Sequence, residues 1–550
     1  MRRKDDHVQK LDFSDEFLLE SVDKRYQEGN YLGALTLLNK RNSMYAPSAD
    51  AAALAADIYE EMELYPLAAD AWFRFLDTCN EADFPEGYEG LAIAFMNMGK
   101  DFQSALYYHR FLEDGDALSE LFKEQPSAPQ LRLVRSDDEE APEVLAEGLA
   151  LLKAGEMDEA RKVLAQISPL SPDYPTAAGI GSMCSLMCGD EEAAEKECLA
   201  LLEKYPDNVQ ALTTYCAVLG ARGNTEEAKK TARRLAEIPT DSTDDLYRIA
   251  TALCETGLDE EAFHKLEILK NRLPYDENIL YFHAVAAYRT NRLPEAIDTL
   301  ERFTTVYPRK AVASYYLVRM REQLEGEEKK FNMTYYYRVP EEEYNAIASF
   351  LLAAGAAEDE YEIRRLSELP QVTEFFRIAF DEMEGRDEKL QMLAAKVAVK
   401  LRADAFIREI LLDYEGDDIV KLAIMHELTL RNEEESYGTV ICNLYKEFFT
   451  HTLEIGRAKR EEFLNAFADV YAKFAILDEE NERKICVAAE DIYQSLEEAE
   501  AWELLSERAA LAAAIYREAR MKKGERGLKK ITELFEANKL VTQEILNYMI

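Results

Sequence analysis

The sequence has few residues that break helices and no long hydrophobic run. Glycine and proline account for only 22 and 16 of the 550 residues, while alanine, leucine and glutamate are abundant, a composition that favours helix. No apolar stretch approaches the roughly 20 residues that span a bilayer, and the N-terminal segment lacks the apolar core of a secretory signal. We therefore predict an all-α protein that does not enter a membrane and resides in the cytoplasm.

Positive charge is also scarce. The chain has 65 lysine and arginine residues against 107 aspartate and glutamate residues, which gives a formal net charge of −42. A surface of this sign repels the phosphate backbone of nucleic acid. We therefore predict a protein or peptide partner and disfavour nucleic acid.

Histidine and cysteine do not occur in the arrangements that metal or disulfide chemistry requires. His426 and Glu427 begin a pattern like that of a zinc-protease helix, but the second histidine one turn later is missing. The eight cysteines are scattered through apolar helical positions, which is typical of a reducing compartment. A glycine-rich phosphate loop and a nucleophile elbow are absent as well. The sequence thus predicts no catalytic residue, no metal and no cofactor.

A 34-residue repeat is the main pattern that the sequence does contain. Five similar junctions follow one another at this spacing, at 155–160, 189–194, 223–228, 257–262 and 291–296. Each starts with glycine, or with asparagine in the fifth, and these residues suit the left-handed conformation that ends a helix. The acidic residues that follow suit the N-terminus of a new helix. Each junction is therefore predicted to separate two helices.

Small and large side chains recur in the same register. Seven residues before each junction stand the small residues Gly148, Ser182, Cys216, Ala250 and Ala284. A small residue at a fixed helical position predicts that a second helix crosses closely there. Larger apolar residues recur in the second helix, at Ile167, Leu201, Leu235, Leu269 and Phe303. Prolines that end each pair are found at Pro172, Pro206, Pro274 and Pro308, with Pro239 one residue out of register.

Period, turn, small residues and terminal proline agree over about 170 residues and together resemble the tetratricopeptide-repeat (TPR) family. Looser copies of the junction at 29–34, 64–69 and 99–105 predict three further N-terminal repeats. The resemblance implies a right-handed solenoid of helix pairs in which the first helix of each pair lines the concave side. Ligands of the family commonly lie on that side.

The register divides the chain into five segments. We predict degenerate repeats at 1–113, an acidic linker with proline and serine at 114–140, and five repeats with a capping helix at 141–325. A short aromatic segment at 326–340 has extended character and is the predicted domain boundary. From 341 to 550 helical patterns continue without a fixed period, so this domain is predicted to be all-helical, with a faint similarity to HEAT-type helix pairs.

The candidate binding face lies ten, six and three residues before each junction, and we call these fifteen positions the first-helix stripe. The stripe comprises Leu145, Leu149, Leu152, Gly179, Met183, Leu186, Thr213, Ala217, Gly220, Tyr247, Thr251, Cys254, Tyr281, Val285 and Tyr288. None of them is charged, although 31% of the whole chain is charged. This predicts an apolar or aromatic peptide, or a partner helix, as the ligand.

Three tyrosines stand out on this face, because Tyr247, Tyr281 and Tyr315 recur at the repeat spacing. Their amphipathic rings suit peptide capture. The complete predicted partner-binding set is Tyr247, Tyr281, Tyr288, Tyr315, Arg289, Arg319, Thr213 and Thr251. The alternative is that these residues pack against neighbouring helices or against the C-terminal domain.

One basic segment interrupts the acidic sequence near its C-terminal end. It contains Arg517, Arg520, Lys522, Lys523, Arg526, Lys529 and Lys530. These are candidates for contact with an anionic partner. The alternatives are a solvated helix-loop-helix and docking on the protein's own acidic solenoid. The leading hypothesis is therefore a non-enzymatic scaffold or adaptor that binds a peptide or helix in the concave groove. The second is a nucleic-acid- or ribosome-associated regulator that acts through 517–530.

Overall fold

The computed structural model describes residues 14–114, 140–326, 330–381, 388–477, 479–520 and 527–549. The chain divides into two compact units, of which unit 1 comprises Met1–Leu118 with Glu341–Ile550, and unit 2 comprises Ser119–Pro340. Helices dominate the described residues of both units, which confirms the predicted all-α class. Among these residues no helix is both long and apolar enough to cross a membrane. Apart from its two ends, the predicted linker 114–140 lies outside the described residues.

The N-terminal part of unit 1 consists of three helix pairs. Its helices are α1 (Asp15–Gln27), α2 (Tyr31–Met44), α3 (Ala49–Glu61), α4 (Tyr65–Thr78), α5 (Phe84–Asn97) and α6 (Asp101–Asp114), with a short 3-10 helix at Glu81–Asp83. Gly29, Glu63 and Gly99 separate the two helices of each pair, with φ of 72°, 60° and 69°. Gly29 and Gly99 begin two of the looser copies of the junction, and Glu63 lies one residue before the copy at 64–69, so each helix ends close to where the sequence predicts.

Unit 2 holds five further helix pairs and one final helix. They are α7 (Glu140–Lys153), α8 (Met157–Leu164), α9 (Tyr174–Met187), α10 (Glu191–Lys204), α11 (Val209–Ala221), α12 (Thr225–Glu237), α13 (Thr243–Thr256), α14 (Asp259–Arg272), α15 (Glu277–Arg289), α16 (Leu293–Val306) and α17 (Ala311–Glu325). Helix α17 is the predicted capping helix. Consecutive helices pack together along the whole series, and unit 2 is thus a TPR-type repeat array.

The repeat register explains how each pair is built. All five junction residues, Gly155, Gly189, Gly223, Gly257 and Asn291, have left-handed φ between 62° and 79°. The predicted close approach is confirmed at two pairs: a Cβ added to Gly148 would lie 2.5 Å from Leu164 Cδ2, and the Cys216 Sγ lies 3.4 Å from the carbonyl oxygen of Ala228. The larger apolar residues predicted for the second helices, Ile167, Leu201, Leu235, Leu269 and Phe303, are all buried.

The C-terminal part of unit 1 is mostly helical. Its elements are α18 (Glu341–Ala356), α19 (Glu360–Ser367), α20 (Val372–Asp381), α21 (Glu388–Lys400), α22 (Asp404–Leu412), α23 (Asp418–Leu430), β1 (Glu435–Ile441), β2 (Leu444–Thr450), α24 (Arg460–Phe474), α25 (Glu479–Glu498), α26 (Arg508–Arg520), α27 (Leu528–Leu534) and α28 (Lys539–Asn547). Short 3-10 helices lie at Ala475–Leu477 and Leu504–Ser506.

The antiparallel hairpin of β1 and β2 corrects the prediction that 341–550 is all-helical. Glu435 pairs with Thr450 at its open end, and Ile441 pairs with Leu444 next to the turn. The turn residues Cys442 and Asn443 both have positive φ, at 51° and 61°, as in a type I′ two-residue hairpin turn. Because this turn contains no glycine, the sequence lacks the usual signal for such a hairpin.

Side chains from the surrounding helices bond the main chain of the hairpin. Arg408 donates to the carbonyl of Ser436, Lys421 to that of Val440 and Tyr471 to that of Phe449, at 2.6–2.8 Å. The hydroxyl of Tyr107 on α6 donates to the Asn443 carbonyl at 2.7 Å and accepts from the Tyr445 amide at 3.1 Å. The first three helix pairs and the C-terminal helices therefore share one core within unit 1.

Candidate functional site

The first-helix stripe is accessible along α7, α9, α11 and α13. Leu149 is 37% exposed and Gly220 is exposed, whereas Gly179 and Cys254 are buried. The remaining positions on these four helices are half-buried: Leu145, Leu152, Met183, Leu186, Thr213, Ala217, Tyr247 and Thr251. We call the accessible residues of these helices the open stripe. Its surface is apolar or weakly polar and carries no charge.

The two threonines predicted for this face use their hydroxyl groups within their own helices. Thr213 donates to the carbonyl of Val209 at 2.8 Å, and Thr251 donates to that of Tyr247 at 3.0 Å. Burial, followed by the nearby charge of Asp276, raises the pKa of Tyr247, so its phenol stays protonated at neutral pH. The open stripe consequently offers mainly apolar contact, with Tyr247 as an amphipathic ring among aliphatic neighbours.

The rest of the stripe is covered by the chain itself. Residues 330–340, which we call the aromatic segment, follow α17 and run across α15 and α17. Beneath this segment Tyr281 and Tyr288 are each only 2% exposed. Tyr315 is 8% exposed, and Arg319 lies over its ring with 4.6 Å between the guanidinium carbon and the ring centroid. A partner could reach Tyr281 and Tyr288 only after the segment had moved.

Tyrosine hydroxyls hold the main chain of the aromatic segment. The Tyr281 hydroxyl is shared between two carbonyl acceptors. It donates to the Thr334 oxygen at 3.1 Å and to the Tyr336 oxygen at 3.3 Å. The Tyr288 hydroxyl accepts from the Phe331 amide at 2.9 Å. Tyr316, which the sequence analysis did not select, donates to the Arg338 carbonyl at 2.8 Å.

Aromatic rings of the segment pack against the same helices. Phe331 stacks on Tyr288 and on Tyr316, with ring centroids 4.6 Å and 5.7 Å apart. Tyr337 meets Tyr281 edge to face at 4.8 Å. The segment thus occupies the stripe through ring contacts as well as main-chain hydrogen bonds.

Tyr335 contacts the first residue of α14. Its hydroxyl donates to Asp259 Oδ1 at 2.9 Å, and Arg289, a predicted site residue, donates to the other carboxylate oxygen at 2.9 Å. The Arg289 guanidinium carbon also lies 5.4 Å from the centroid of the Tyr335 ring. Burial and the charge of Asp259 raise the pKa of Tyr335, so the phenol is neutral and can donate. Arg289 is therefore engaged by the chain's own segment.

A polar cluster lies inside the array, between α14, α15 and α16. His283 is fully buried, with Nε2 2.6 Å from Glu267 Oε2 and Nδ1 3.0 Å from the Thr299 hydroxyl. Lys270 Nζ lies 2.8 Å from the same Glu267 oxygen. Burial, followed by the charge of Lys270, lowers the pKa of His283 to about 4. The imidazole is accordingly neutral at pH 7.

The basic segment is only partly described, because Lys522, Lys523 and Arg526 lie outside the described residues. Arg517 pairs with Glu518 at 2.7 Å, and Arg520 lies 6.0 Å from the centroid of the Tyr516 ring. Lys529 and Lys530 are exposed, and Lys529 lies 3.7 Å from Glu533. An anionic partner on this segment stays a prediction.

No family model matches the chain, and no curated protein matches it significantly. Among solved structures, a human IFIT1 dimer with m7Gppp-AAAA is 13% identical, covers 77% of this chain and 92% of its own, and has a TM-score of 0.28. The TPR domain of P58(IPK) is 12% identical, with coverages of 71% and 99% and a TM-score of 0.17. Naa15/Naa10 bound to HypK-THB is 12% identical, with coverages of 97% and 99% and a TM-score of 0.18. Likeness at such TM-scores supports no conclusion about function, which has to come from the contacts of this chain.

Proposed function

We propose that this chain is a non-enzymatic interaction scaffold, and that the open stripe of unit 2 binds a segment of a partner protein. The observation that carries the proposal is the accessible, uncharged face on four successive first helices of a chain with a net charge of −42. Accessible apolar faces of this kind mark contact surfaces. A partner segment with apolar or aromatic side chains fits this chemistry, whereas a charged peptide would lose hydration without gaining an ion pair.

Continuity with the covered part of the stripe supports the same proposal. Tyr247, Tyr281 and Tyr315 occupy equivalent positions in successive repeats. Tyr281 is already bonded to a non-helical stretch of polypeptide. Tyr247 offers a half-buried ring at the next repeat position, on the open side. A partner segment on the open stripe would therefore extend a surface that holds polypeptide at its other end.

The proposal is tested by affinity purification from the native cell with full-length protein. The test variant Leu149→Glu/Met183→Glu places two charges on the open stripe, and we expect it to lose at least one partner that wild type recovers stoichiometrically. The matched control is Leu199→Glu/Ile268→Glu, because these residues are 47% and 44% exposed on the second helices α10 and α14. We expect the control to retain the partner.

The result is interpretable only if both variants keep the wild-type circular dichroism and thermal midpoint. Recovery of the same partners by wild type and by the folded open-stripe variant would show that this face is not the binding surface. A Tyr247→Ala substitution then serves as a milder second test. It removes an amphipathic ring without adding charge.

A further inference from the structure

We infer that the aromatic segment is a tethered occupant of a second peptide site on the stripe, and that a non-helical, aromatic-containing peptide can take its place. This inference rests on the proposed function, because it assigns the ligand class and the regulation of the same face. It differs from that proposal in the surface concerned. That surface is the part of α15 and α17 that the aromatic segment covers, and we call it the wall.

The contacts of the segment are those of a bound ligand. Its main chain is bonded at positions 331, 334, 336 and 338 by hydroxyls of Tyr288, Tyr281 and Tyr316, which lie on α15 and α17. Within the described residues of the segment the only main-chain bond between its own groups runs from the Arg338 amide to the Tyr336 carbonyl, at 2.9 Å. The wall, rather than any secondary structure of the segment, therefore fixes its path.

The same contacts define which peptides fit. Hydroxyl-to-carbonyl bonds do not depend on the ligand's sequence, but they need carbonyl groups that face the wall. The groups that the wall bonds are spread over positions 331 to 338 of a stretch that contains no helix, so the wall fits a non-helical chain. Phe331, Tyr335 and Tyr337 add ring contacts at the second, sixth and eighth positions of the segment. The ligand class is thus a non-helical peptide with aromatic side chains at this spacing.

The tether gives the resident segment an advantage over a free peptide. The segment begins four residues after Gly326, whose left-handed φ of 83° ends α17. A short connection holds a ligand at an effective concentration in the mM range. A free peptide of equal intrinsic affinity is therefore suppressed in the wild-type protein, and weakening the resident segment should unmask the site.

The test uses the full-length protein and a fluorescein-labelled synthetic peptide with the sequence of residues 330–339 as the probe. Phe331→Ala/Tyr335→Ala removes two rings from the resident segment and leaves the wall intact. We expect this variant to bind the probe at least tenfold more tightly than wild type. Tyr335→Ala alone removes one half-buried ring, so it is the milder variant. It should give a smaller gain in affinity for the probe. The matched control is Tyr336→Ala, because this ring is 59% exposed and its loss should leave probe affinity unchanged.

A substitution in the wall and hydrogen exchange of the segment then show where the probe binds. Adding Tyr316→Phe to the double variant removes one hydroxyl donor and should weaken probe binding. Bound probe should also speed exchange of the Phe331 amide in wild type, because that amide is released from Tyr288. If folded segment variants bind the probe no better than wild type, or if exchange of residues 331–339 is unchanged on binding, the segment is a permanent part of the fold and the inference is wrong. Either result leaves the open-stripe proposal intact, because Leu149 and Met183 lie outside this wall.

Discussion

Individual tyrosines on the stripe act through two chemically distinct parts, a ring and a hydroxyl, which can be separated by substitution. At Tyr281 the ring packs edge to face against Tyr337, while the hydroxyl bonds two carbonyls of the aromatic segment. Removing the hydroxyl alone leaves the carbonyls of Thr334 and Tyr336 without this donor. Removing the ring also leaves a cavity under the segment.

We therefore predict a graded loss of stability at this position. Tyr281→Phe should lower the free energy of unfolding of unit 2 by about 1–2 kcal/mol, the cost of one hydrogen bond to a buried group. Tyr281→Ala should lower it by roughly 3–5 kcal/mol, because a cavity is added. Urea unfolding followed by near-ultraviolet circular dichroism measures both values. Tyr247→Phe is the control on the half-buried equivalent, with an expected change below about 0.5 kcal/mol, and an equal loss at both positions would contradict the assignment.

His283 supplies a pH dependence whose sign follows from its environment. Its pKa in the folded state is about 4, below the ordinary value near 6.5 that applies when the chain is unfolded. Between these values the unfolded chain binds the additional proton, so stability falls as pH is lowered from about 6.5 toward 4. The groups that face the ring are Glu267, Lys270 and Thr299, and the charge of Asp298 also acts on it.

We predict that protonation of the His283 imidazole in the unfolded chain causes this fall in stability. Between pH 7.5 and pH 5 the difference in unfolding free energy between wild type and His283→Gln should shrink by about 2 kcal/mol, since glutamine takes up no proton. Chemical denaturation at the two pH values measures this difference. The nearby exposed residue His264 provides the control His264→Gln, which tests for a general effect of replacing a histidine in this repeat. Parallel pH profiles for wild type and His283→Gln would exclude the proposed titration.

At the scale of elements, glycines within helices differ according to what faces them. On α5 a methyl group added at Gly90 would overlap the indole ring of Trp72, whose Nε1 donates to Glu60 at 2.8 Å. On α11 a methyl group added at Gly220 meets no atom within 4 Å. The contact between α4 and α5 therefore requires glycine at position 90. Position 220 on α11 has room for a side chain.

Gly90→Ala and Gly220→Ala should accordingly have opposite effects. The first should destabilise unit 1 by roughly 1–3 kcal/mol through overpacking, whereas the second should be neutral or stabilise unit 2 by up to about 1 kcal/mol, because alanine favours helix. Thermal unfolding of the full-length variants measures both. A destabilising Gly220→Ala would indicate that α11 packs more closely than the structure has it.

The elements that could be predicted are those with local signals. Each junction residue, such as Gly155 or Asn291, ends a helix by its own backbone preference, so five pairs could be placed from one repeated pattern. The hairpin at Glu435–Thr450 carried no glycine in its turn, and its pairing depends on side chains far away in sequence, such as Tyr107. The burial of Tyr281 under the aromatic segment likewise depends on contacts between residues distant in sequence. Thr334, for example, lies 53 residues after Tyr281. Aromatic residues in both the stripe and the segment were the one available signal for that contact.

At the scale of the whole molecule, unit 1 is made from both ends of the described chain. Tyr107 on α6 is fully buried, and its hydroxyl bonds the turn of the hairpin. Phe73 and Phe95 on the first three pairs contact Tyr414, with ring centroids 6.1 Å and 5.9 Å apart. Phe73, Phe95 and Tyr107 also contact one another. Without residues 341–550 this aromatic cluster would lose the part of its cover that Tyr414 and the hairpin supply.

This arrangement predicts that the two parts of unit 1 depend on each other for folding. A fragment of residues 1–118 expressed alone should lack a cooperative thermal transition, because the exposed aromatic cluster forfeits about 1.5–3 kcal/mol for each large side chain left unburied. Coexpression with residues 341–550 should restore a soluble complex of the two fragments, detectable by copurification and by a single transition in calorimetry. Tyr107→Ala in the first fragment should weaken that complex, while Phe102→Ala, at an exposed position on the same helix, should not. Cooperative unfolding of the isolated 1–118 fragment at the temperature of the complex would mean that the three N-terminal pairs are complete by themselves.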